Sequence, residues 1–515
     1  MTPTPDSPVH SSLWLESAEE TGAERPPLPR GSAFDAIVIG GGFTGLTSAL
    51  MLQRAGRDVA LIDQGRIGTG VSGHTTAKVT SQHQVVYSRL RLTLGAKRTR
   101  HYAEANEWAK ERVASFVGEG IDCDMRRRPA YLYASSAREL AVAKAEERAA
   151  RAAGLPAHWD SDVPLPFETR GALRFDDQLE LHPVRYMAGL ARLFEAAGGV
   201  IAENTRATQV HEGDPCRVET EHGELSAGDV VVATLMPFLD RGGFFARAHP
   251  TRSYVITARL AAGSPPRGML INAGSPSRSI RSVPSPDGEL LMIGGEGHDV
   301  GASAATPERF ERLAEFARRH WNVAEITHRW SAQDYSSGDG VPFVGPARIG
   351  SKRVLIATGM RKWGLTNGVV AARIMSDAIT GDANPWAPTF SSTRVRPLAE
   401  APSFAIENSK VGLHFVGDRL RDRATRPIED LEPGEGAITE LDGAKVAGFR
   451  DEDDGLHAVS SLCTHLYCQV RWNDAERTWD CPCHGSRFKV DGEILNGPAV
   501  KPLEVRRVDA GAGGV

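Results

Sequence analysis

The sequence predicts an α/β chain that ends in a small all-β domain. Three observations carry that expectation. A glycine-rich strand–turn–helix opens at about residue 35. Short apolar strands then alternate with helical stretches to about residue 380. Beyond a proline-rich stretch at 381–402, short alternating strands broken by turns run to about residue 508.

The 515 residues suffice for two or three domains. A hydrophobic share of 41 % with 24 % charged residues places the chain among ordinary globular proteins. A net charge of −5 argues against nucleic acid or an anionic membrane as a partner. No apolar run approaches the roughly 18 residues that span a bilayer. The N-terminus has neither a basic start before an apolar core nor a twin-arginine pair, so a cytoplasmic location is expected. Four of the six cysteines fall within residues 460–488, which favours a metal site over a disulfide framework.

Taken in order, residues 1–33 are rich in Pro, Ser and Glu and read as an extended lead-in. Residues 34–384 carry the strand–helix alternation, with helical periodicity in "EANEWAKERVASFVGEG" and "ARELAVAKAEERAARAAG". Residues 385–402, inside a stretch with four prolines, read as the linker. Residues 403–515 read as the small β domain, and no internal repeat is present.

The first motif is "FDAIVIGGGFTGLTSALMLQRAGRDVALIDQGRIGTG". Asp35–Ile39 reads as a buried strand, and Gly40, Gly42 and Gly45 form GxGxxG. Gly40 allows the tight turn, Gly42 lets the backbone approach a pyrophosphate, and Gly45 lets helix and strand pack closely. Val59–Asp63 is a second strand that ends in an acid placed to accept hydrogen bonds from a ribose diol. A lone GxGxxG is a weak signal; strand, helix, second strand and acid together predict a dinucleotide site. "RVLIATGMRKWGLTNGVVAARIMSDAI" (353–379) is a second strand–turn–helix.

Together these segments resemble flavoproteins of the D-amino-acid oxidase, glycine oxidase and sarcosine oxidase family. "GRIGTGVSGHTTAKVT" (65–80), "HPVRYMAGLARLFEAAGGVIAENTRATQV" (182–210), "GDVVVATLMP" (228–237) and "GDGVPFVGP" (338–346) are similar to further family segments. The resemblance covers about residues 12–385. It implies a Rossmann-like FAD domain interleaved with an antiparallel-sheet substrate domain. It also implies cofactor contacts at Gly40, Gly41, Gly42, Phe43, Thr44, Gly45, Asp63, Gln64, Thr75, Thr76, Ala77, Gly359, Gly364, Leu365 and Thr366. In that family the second segment brings a helix N-terminus to the flavin pyrimidine ring, where its dipole stabilises negative charge on reduced flavin. A second GxGxxG for a nicotinamide cofactor is missing: "MIGGEGHDVG" (292–301) reads as a strand end and turn.

In the last motif, Cys463 and His465 are followed by fifteen intervening residues and then Cys481, Cys483 and His484. Two Cys and two His in two short loops suit a tetrahedral Zn²⁺. The order C-x-H then C-x-x-H also suits a [2Fe–2S] cluster with two thiolates on one iron and two imidazoles on the other. "CTHLYC" and "CPCHGSRF" closely resemble Rieske proteins. That resemblance implies Cys463 and Cys481 on one iron, His465 and His484 on the other, a bracing disulfide between Cys468 and Cys483, and a covering loop at "NGPAVKPL" (496–503). Two departures stand out: Tyr467 where many relatives have Gly, and Phe488 where high-potential members have a Tyr that hydrogen-bonds a cysteine sulfur. Ser486 keeps the other hydroxyl. The expected potential is therefore below that of the respiratory-chain proteins.

Weaker signals remain. His74 lies where some relatives attach flavin covalently, and its bland reading is a polar group near the flavin. Arg252 and His298 are candidates for binding a substrate carboxylate or serving as a base, or else are solvated loop groups. His182, before Pro183 at a helix start, reads as structural. Cys123 and Cys216 read as free thiols. Neither a CxxxxC redox pair nor the Ser/His/Asp pattern of a hydrolase is present.

The expectation is a flavin-dependent oxidoreductase, by family analogy an amine or amino-acid dehydrogenase. Electrons pass from FAD to the cluster and on to an acceptor protein or quinone. The alternatives are an enzyme whose electrons enter through the cluster, and a non-catalytic electron-transfer or redox-sensing module.

Overall fold

The computed structural model describes residues 11–18, 24–239, 242–301, 306–396 and 426–508. Strands Val200–Ala202, Val59–Ile62, Ala33–Ile39, Gly223–Val232 and Val354–Thr358 lie side by side in that order, all parallel. Ala36 to Ile39 and Val59 to Ile62 are all buried, as a parallel strand covered on both faces requires. Helix Phe43–Arg54 follows the first strand and packs against helices Gly364–Thr380 and Pro183–Ala196. Their apolar faces form the main core. Pro183 sits in the first turn of its helix, where its missing N–H costs nothing, and the His182 side chain caps that helix by accepting from the Arg185 N–H at 3.3 Å. The structural reading of His182 agrees with this geometry.

A second sheet runs in the order Val323–Ser337, Ala248–Leu260, Gly288–Asp299, Arg278–Ser285, Met269–Asn272, Arg126–Tyr133, Ala172–Glu180, Lys78–Val79. It is antiparallel except where Met269–Asn272 pairs in parallel with Ala130 to Tyr133. The expected antiparallel sheet is thus mixed at one seam. That seam joins two separate excursions of the chain, so no hairpin dictates its direction.

Two other expectations change. In the lead-in, Ser12 caps a short helix, Leu13–Glu16, whose Leu13 and Trp14 are buried. Trp14 Nε1 donates to the Thr75 carbonyl at 2.7 Å and Ser12 Oγ to Gly73 O at 2.6 Å. Two apolar side chains outweigh the polar composition here. In the expected linker, Ala387–Phe390 is a helix and Arg394 is buried against Asp339, Nε to Oδ2 at 2.8 Å. Residues 385–396 therefore belong to the large domain, while 397–425 lie outside the described residues.

The small domain, described over 426–508, is all-β. Gly436–Leu441, Ala444–Arg450, Leu456–Ser460 and Val505–Arg506 form one four-stranded sheet. Arg471–Asn473, Thr478–Asp480, Arg487–Phe488 and Ile494–Asn496 form the other. Among the described residues, no helix is long and apolar enough to cross a membrane.

Candidate functional site

A cavity of about 1270 Å³ runs between the two sheets of the large domain and reaches the small domain. At one end lies the glycine turn. A Cβ at Gly40, whose φ is +110°, would stand 2.6 Å from the Ala233 carbonyl oxygen; one at Gly45 would stand 1.8 Å from Gly40 O. The chain can pack this closely only without side chains. Helix Phe43–Arg54 starts at Gly42 with no side-chain cap, leaving first-turn N–H groups for an anion in the cavity. Asp63 receives the Gly41 N–H at 2.6 Å and the Gly65 N–H at 2.8 Å. Burial pushes its carboxyl up, and those two N–H groups oppose the shift.

Of the predicted contacts, Gly40, Gly41, Gly42, Phe43, Thr44, Asp63, Gln64, Thr75, Thr76, Gly364 and Leu365 line the cavity. Four stand behind it. Gly45 makes the helix–strand approach, and the Ala77 carbonyl accepts from Arg281. Gly359 turns the chain at φ +75°, and Thr366 Oγ1 lies 3.1 Å from His83 Nε2.

The cavity lining also holds groups that sequence reasoning missed. Lys78 is buried; its Nζ donates to Leu270 O at 3.3 Å, and burial, then Arg281, push its amine down to about 7. Asp334 accepts the Lys362 N–H, and burial pushes its carboxyl up to about 6. Lys362 Nζ donates to Ser253 Oγ at 2.6 Å. Arg361 and Lys362 both adopt left-handed φ, 54° and 67°. Two successive non-glycine residues there mark a strained turn of the kind found at functional sites. Their sequence signal, "MRKWG", shows only as a turn before a helix.

The weaker candidates separate. His74 lines the cavity, with Nδ1 2.8 Å from Gly70 O. Arg252 does not: it is buried, and its guanidinium meets Ser331 Oγ at 3.0 Å, Gln333 Oε1 at 3.2 Å and Asp480 Oδ2 of the small domain at 2.7 Å. Its charge is consumed in an inter-domain ion pair, which corrects both the substrate-carboxylate and the solvated-loop readings. His298 lies outside the cavity lining. Its Nε2 is 3.0 Å from Tyr254 Oη and its Nδ1 2.9 Å from Asp299 O, and burial lowers it to about 4. Both ring nitrogens are engaged, which sets it apart from a base in the cavity.

In the small domain, the loops before Arg471–Asn473 and after Thr478–Asp480 come together. Cys468 and Cys483 form a disulfide, while Cys463 and Cys481 are buried free thiols that hydrogen-bond each other. The bond from Cys481 pushes the Cys463 thiol down to about 7, and Ser486 adds a hydroxyl contact. The His465 and His484 rings stand 5.1 Å apart at 88°. His484 Nδ1 is buried without a hydrogen-bond partner. A buried imidazole nitrogen left open beside paired thiols is what a mixed Cys/His metal centre requires. Tyr467 takes φ +56°, so the first loop keeps the turn a glycine would make.

The histidine side of this centre abuts the large domain. The Phe245 ring packs edge-on against both imidazoles, 5.2 Å from His465 and 4.9 Å from His484. Tyr335 Oη donates to His484 O at 3.0 Å, and Gln333 Nε2 to Gly485 O at 2.7 Å. Gly485, at φ +78°, leaves no room for a Cβ, which would lie 2.6 Å from Tyr335 Oη. Elsewhere, Gln64 Nε2 donates to Leu495 O at 3.0 Å and Arg206 to Ile494 O at 3.2 Å, and Lys489, Leu495, Gly497 and Pro502 line the cavity.

A glycine cradle for a dinucleotide, joined to paired Cys/His loops, defines an oxidoreductase that carries both FAD and a [2Fe–2S] cluster. The chain belongs to the FAD dependent oxidoreductase family, whose model matches residues 35–378; a Rieske [2Fe-2S] domain matches residues 424–507. It is 34 % identical over 482 residues, 93 % of its length and 94 % of the other's, to YhfW of Bacillus subtilis (strain 168), named as a Rieske 2Fe-2S iron-sulfur protein. It is 25 % identical to the gamma-glutamylputrescine oxidoreductase of Escherichia coli (strain K12), over 80 % of this chain and 99 % of that one. Glycine oxidase from Geobacillus kaustophilus shares the fold: TM-score 0.58 at 19 % identity, over 71 % of this chain and 99 % of that one.

Proposed function

We propose that the protein oxidises an amine or amino acid with FAD and sends the electrons through the Rieske cluster to an external redox protein or quinone. When bound, FAD supplies a hydride acceptor and the cluster a one-electron carrier. In this reading Gly40, Gly42 and the first turn of Phe43–Arg54 hold the pyrophosphate, and Asp63 holds the ribose. Gly364 and Leu365 present a helix N-terminus to the flavin ring. Cys463 and Cys481 ligate one iron, and His465 and His484 the other. Lys78, buried and drawn down to about 7, is placed to hold a proton from a substrate ammonium group.

The observation that carries the reading is the covered histidine edge. Phe245 and Tyr335 of the large domain pack against that side of the centre, which supports exchange between the flavin and the cluster within one chain. The relative named gamma-glutamylputrescine oxidoreductase supports an amine as substrate. Anaerobic mixing with a panel of amines and amino acids tests the reading. Flavin bleaching followed by the Rieske EPR signal is expected. Reduction by a protein donor alone would reverse the direction, and cluster reduction with no active compound would leave a redox sensor.

A further inference from the structure

We infer that Tyr335 is the residue that links the two cofactor sites, and that electrons pass from the flavin turn to the cluster loop along it. The inference rests on the direction of flow proposed above and adds its route. Tyr335 lies near the end of the long strand Val323–Ser337 and is fully buried. Its two ends touch different sites. Its backbone carbonyl accepts the Arg361 N–H at 2.9 Å, inside the strained turn that lines the cavity before Gly364. Its hydroxyl donates to His484 O at 3.0 Å, on a cluster ligand, and lies 3.4 Å from both Gly485 O and Gly497 O.

The neighbours hold both ends in place. Asp334 accepts the Lys362 N–H, and Ser336 bridges to Met360, so three successive residues of the strand are fixed to the turn. At the cluster end, Gln333 donates to Gly485 O at 2.7 Å and to Tyr335 Oη at 3.2 Å. The path from Arg361 to the His484 backbone is then one hydrogen bond, one aromatic side chain and a second hydrogen bond. Phe245, by contrast, meets the imidazoles through ring contact. Each passage moves one electron: the flavin side is oxidised by one and the cluster reduced by one. Two passages, with an external one-electron acceptor reoxidising the cluster in between, empty a two-electron-reduced flavin, whose proton leaves to solvent.

Tyr335→Phe keeps the ring and removes the hydroxyl. In the holoprotein, flash photoreduction with 5-deazariboflavin and EDTA supplies the electrons, and flavin and cluster absorbance report their equilibration. The rate is expected to fall severalfold while both midpoint potentials and the cluster EPR signal stay as in the wild type. An unchanged rate, or a fall that only follows a shift in potential, overturns the inference. Gln333→Leu leaves both hydrogen bonds of the path but removes their support at the cluster end, so a smaller fall than in Tyr335→Phe is expected; an equal or larger fall means general loosening and also overturns it. Should Tyr335→Phe yield no holoprotein, Gly485→Ala pushes the loop off the hydroxyl from the other side, and the same fall is expected. No equilibration in the wild type overturns the proposed direction of flow itself, whereas normal equilibration in Tyr335→Phe overturns only the route.

Discussion

Phe488 and Ser486 set the cluster environment residue by residue. Phe488 is fully buried in the core of the small domain and brings no hydroxyl to the site. Ser486 contacts the Cys463 thiol and its Oγ accepts the Ala499 N–H at 3.0 Å. Hydrogen bonds to the cluster sulfurs favour the reduced, more negative state, so a site with one hydroxyl has a lower potential than a site with two. Phe488→Tyr is expected to raise the midpoint potential by up to about 60 mV, the one-electron equivalent of about 1.4 kcal/mol. Redox titration followed by EPR measures it; an unchanged potential would mean that the added hydroxyl does not reach a sulfur. Lys78 gives the second prediction at this scale. Its amine is drawn down from 10.5 to about 7 by burial, then by Arg281, with Glu180 opposing. Below about pH 7 the folded and unfolded states both hold the proton, and the cost of burying the charge is fully present. Between about 7 and 10.5 only the unfolded state stays fully protonated, so stability rises with pH across that window. Lys78→Met removes the cost, by an amount on the order of a few kcal/mol. Thermal unfolding should show the variant more stable than wild type at pH 6 and the advantage shrinking as pH approaches 10.

Elements place these residues, and the glycine turn is the most demanding of them. The Gly40 carbonyl lies where a Gly45 side chain would begin, so Gly45→Ala must push helix Phe43–Arg54 off its strand. Loss of bound FAD on gel filtration is expected, at least tenfold in affinity, with the Rieske visible spectrum retained because the small domain has its own core. Retention of stoichiometric FAD would refute the packing argument. This turn was legible in the sequence because its chemistry is local: glycines at fixed spacing, a buried strand on either side, an acid at the second strand end. The metal loops were legible for the same reason, since ligand order along the chain names the centre. The other groups of the cavity were not. Lys78, Asp334 and Lys362 come from the two opposite edge strands of the second sheet and from the turn before Gly364, so no local pattern announces that they line one cavity. Arg252 was misread on the same account. A charged residue between two β-strands looks like a site residue until its partner, 228 positions away, is known.

At the scale of the whole molecule, the two domains are joined by a buried ion pair as well as by the contacts around His484. Arg252 and Asp480 are both almost fully buried at 2.7 Å. Asp480 is further held by Asn473 Nδ2 at 2.9 Å, Thr478 Oγ1 at 2.9 Å and Arg487 Nε at 3.3 Å. Burial alone would push the Asp480 carboxyl up, but Arg252 and Arg487 outweigh it and hold it below the usual carboxylate range. Such a pair adds little net energy over apolar residues of the same size, yet losing one partner strands the other in low dielectric. Its value here is registry. Arg252 lies on the strand next to Val323–Ser337, so fixing Asp480 to it also fixes the cluster loop against Gln333 and Tyr335. Arg252→Met is expected to cost about 3–5 kcal/mol. Because that cost falls on the interface, unfolding should split into two thermal transitions, the small domain melting apart from the large one. The double variant Arg252→Met with Asp480→Leu should recover part of the loss, since Arg252 and Asp480 are then both absent while Arg487 keeps Glu476 at 3.7 Å. Calorimetry on the three proteins separates the outcomes: additive losses in the double variant would show that the two charges act independently and that the interface is held by its other contacts, those of His484, Gly485, Ile494 and Leu495 among them.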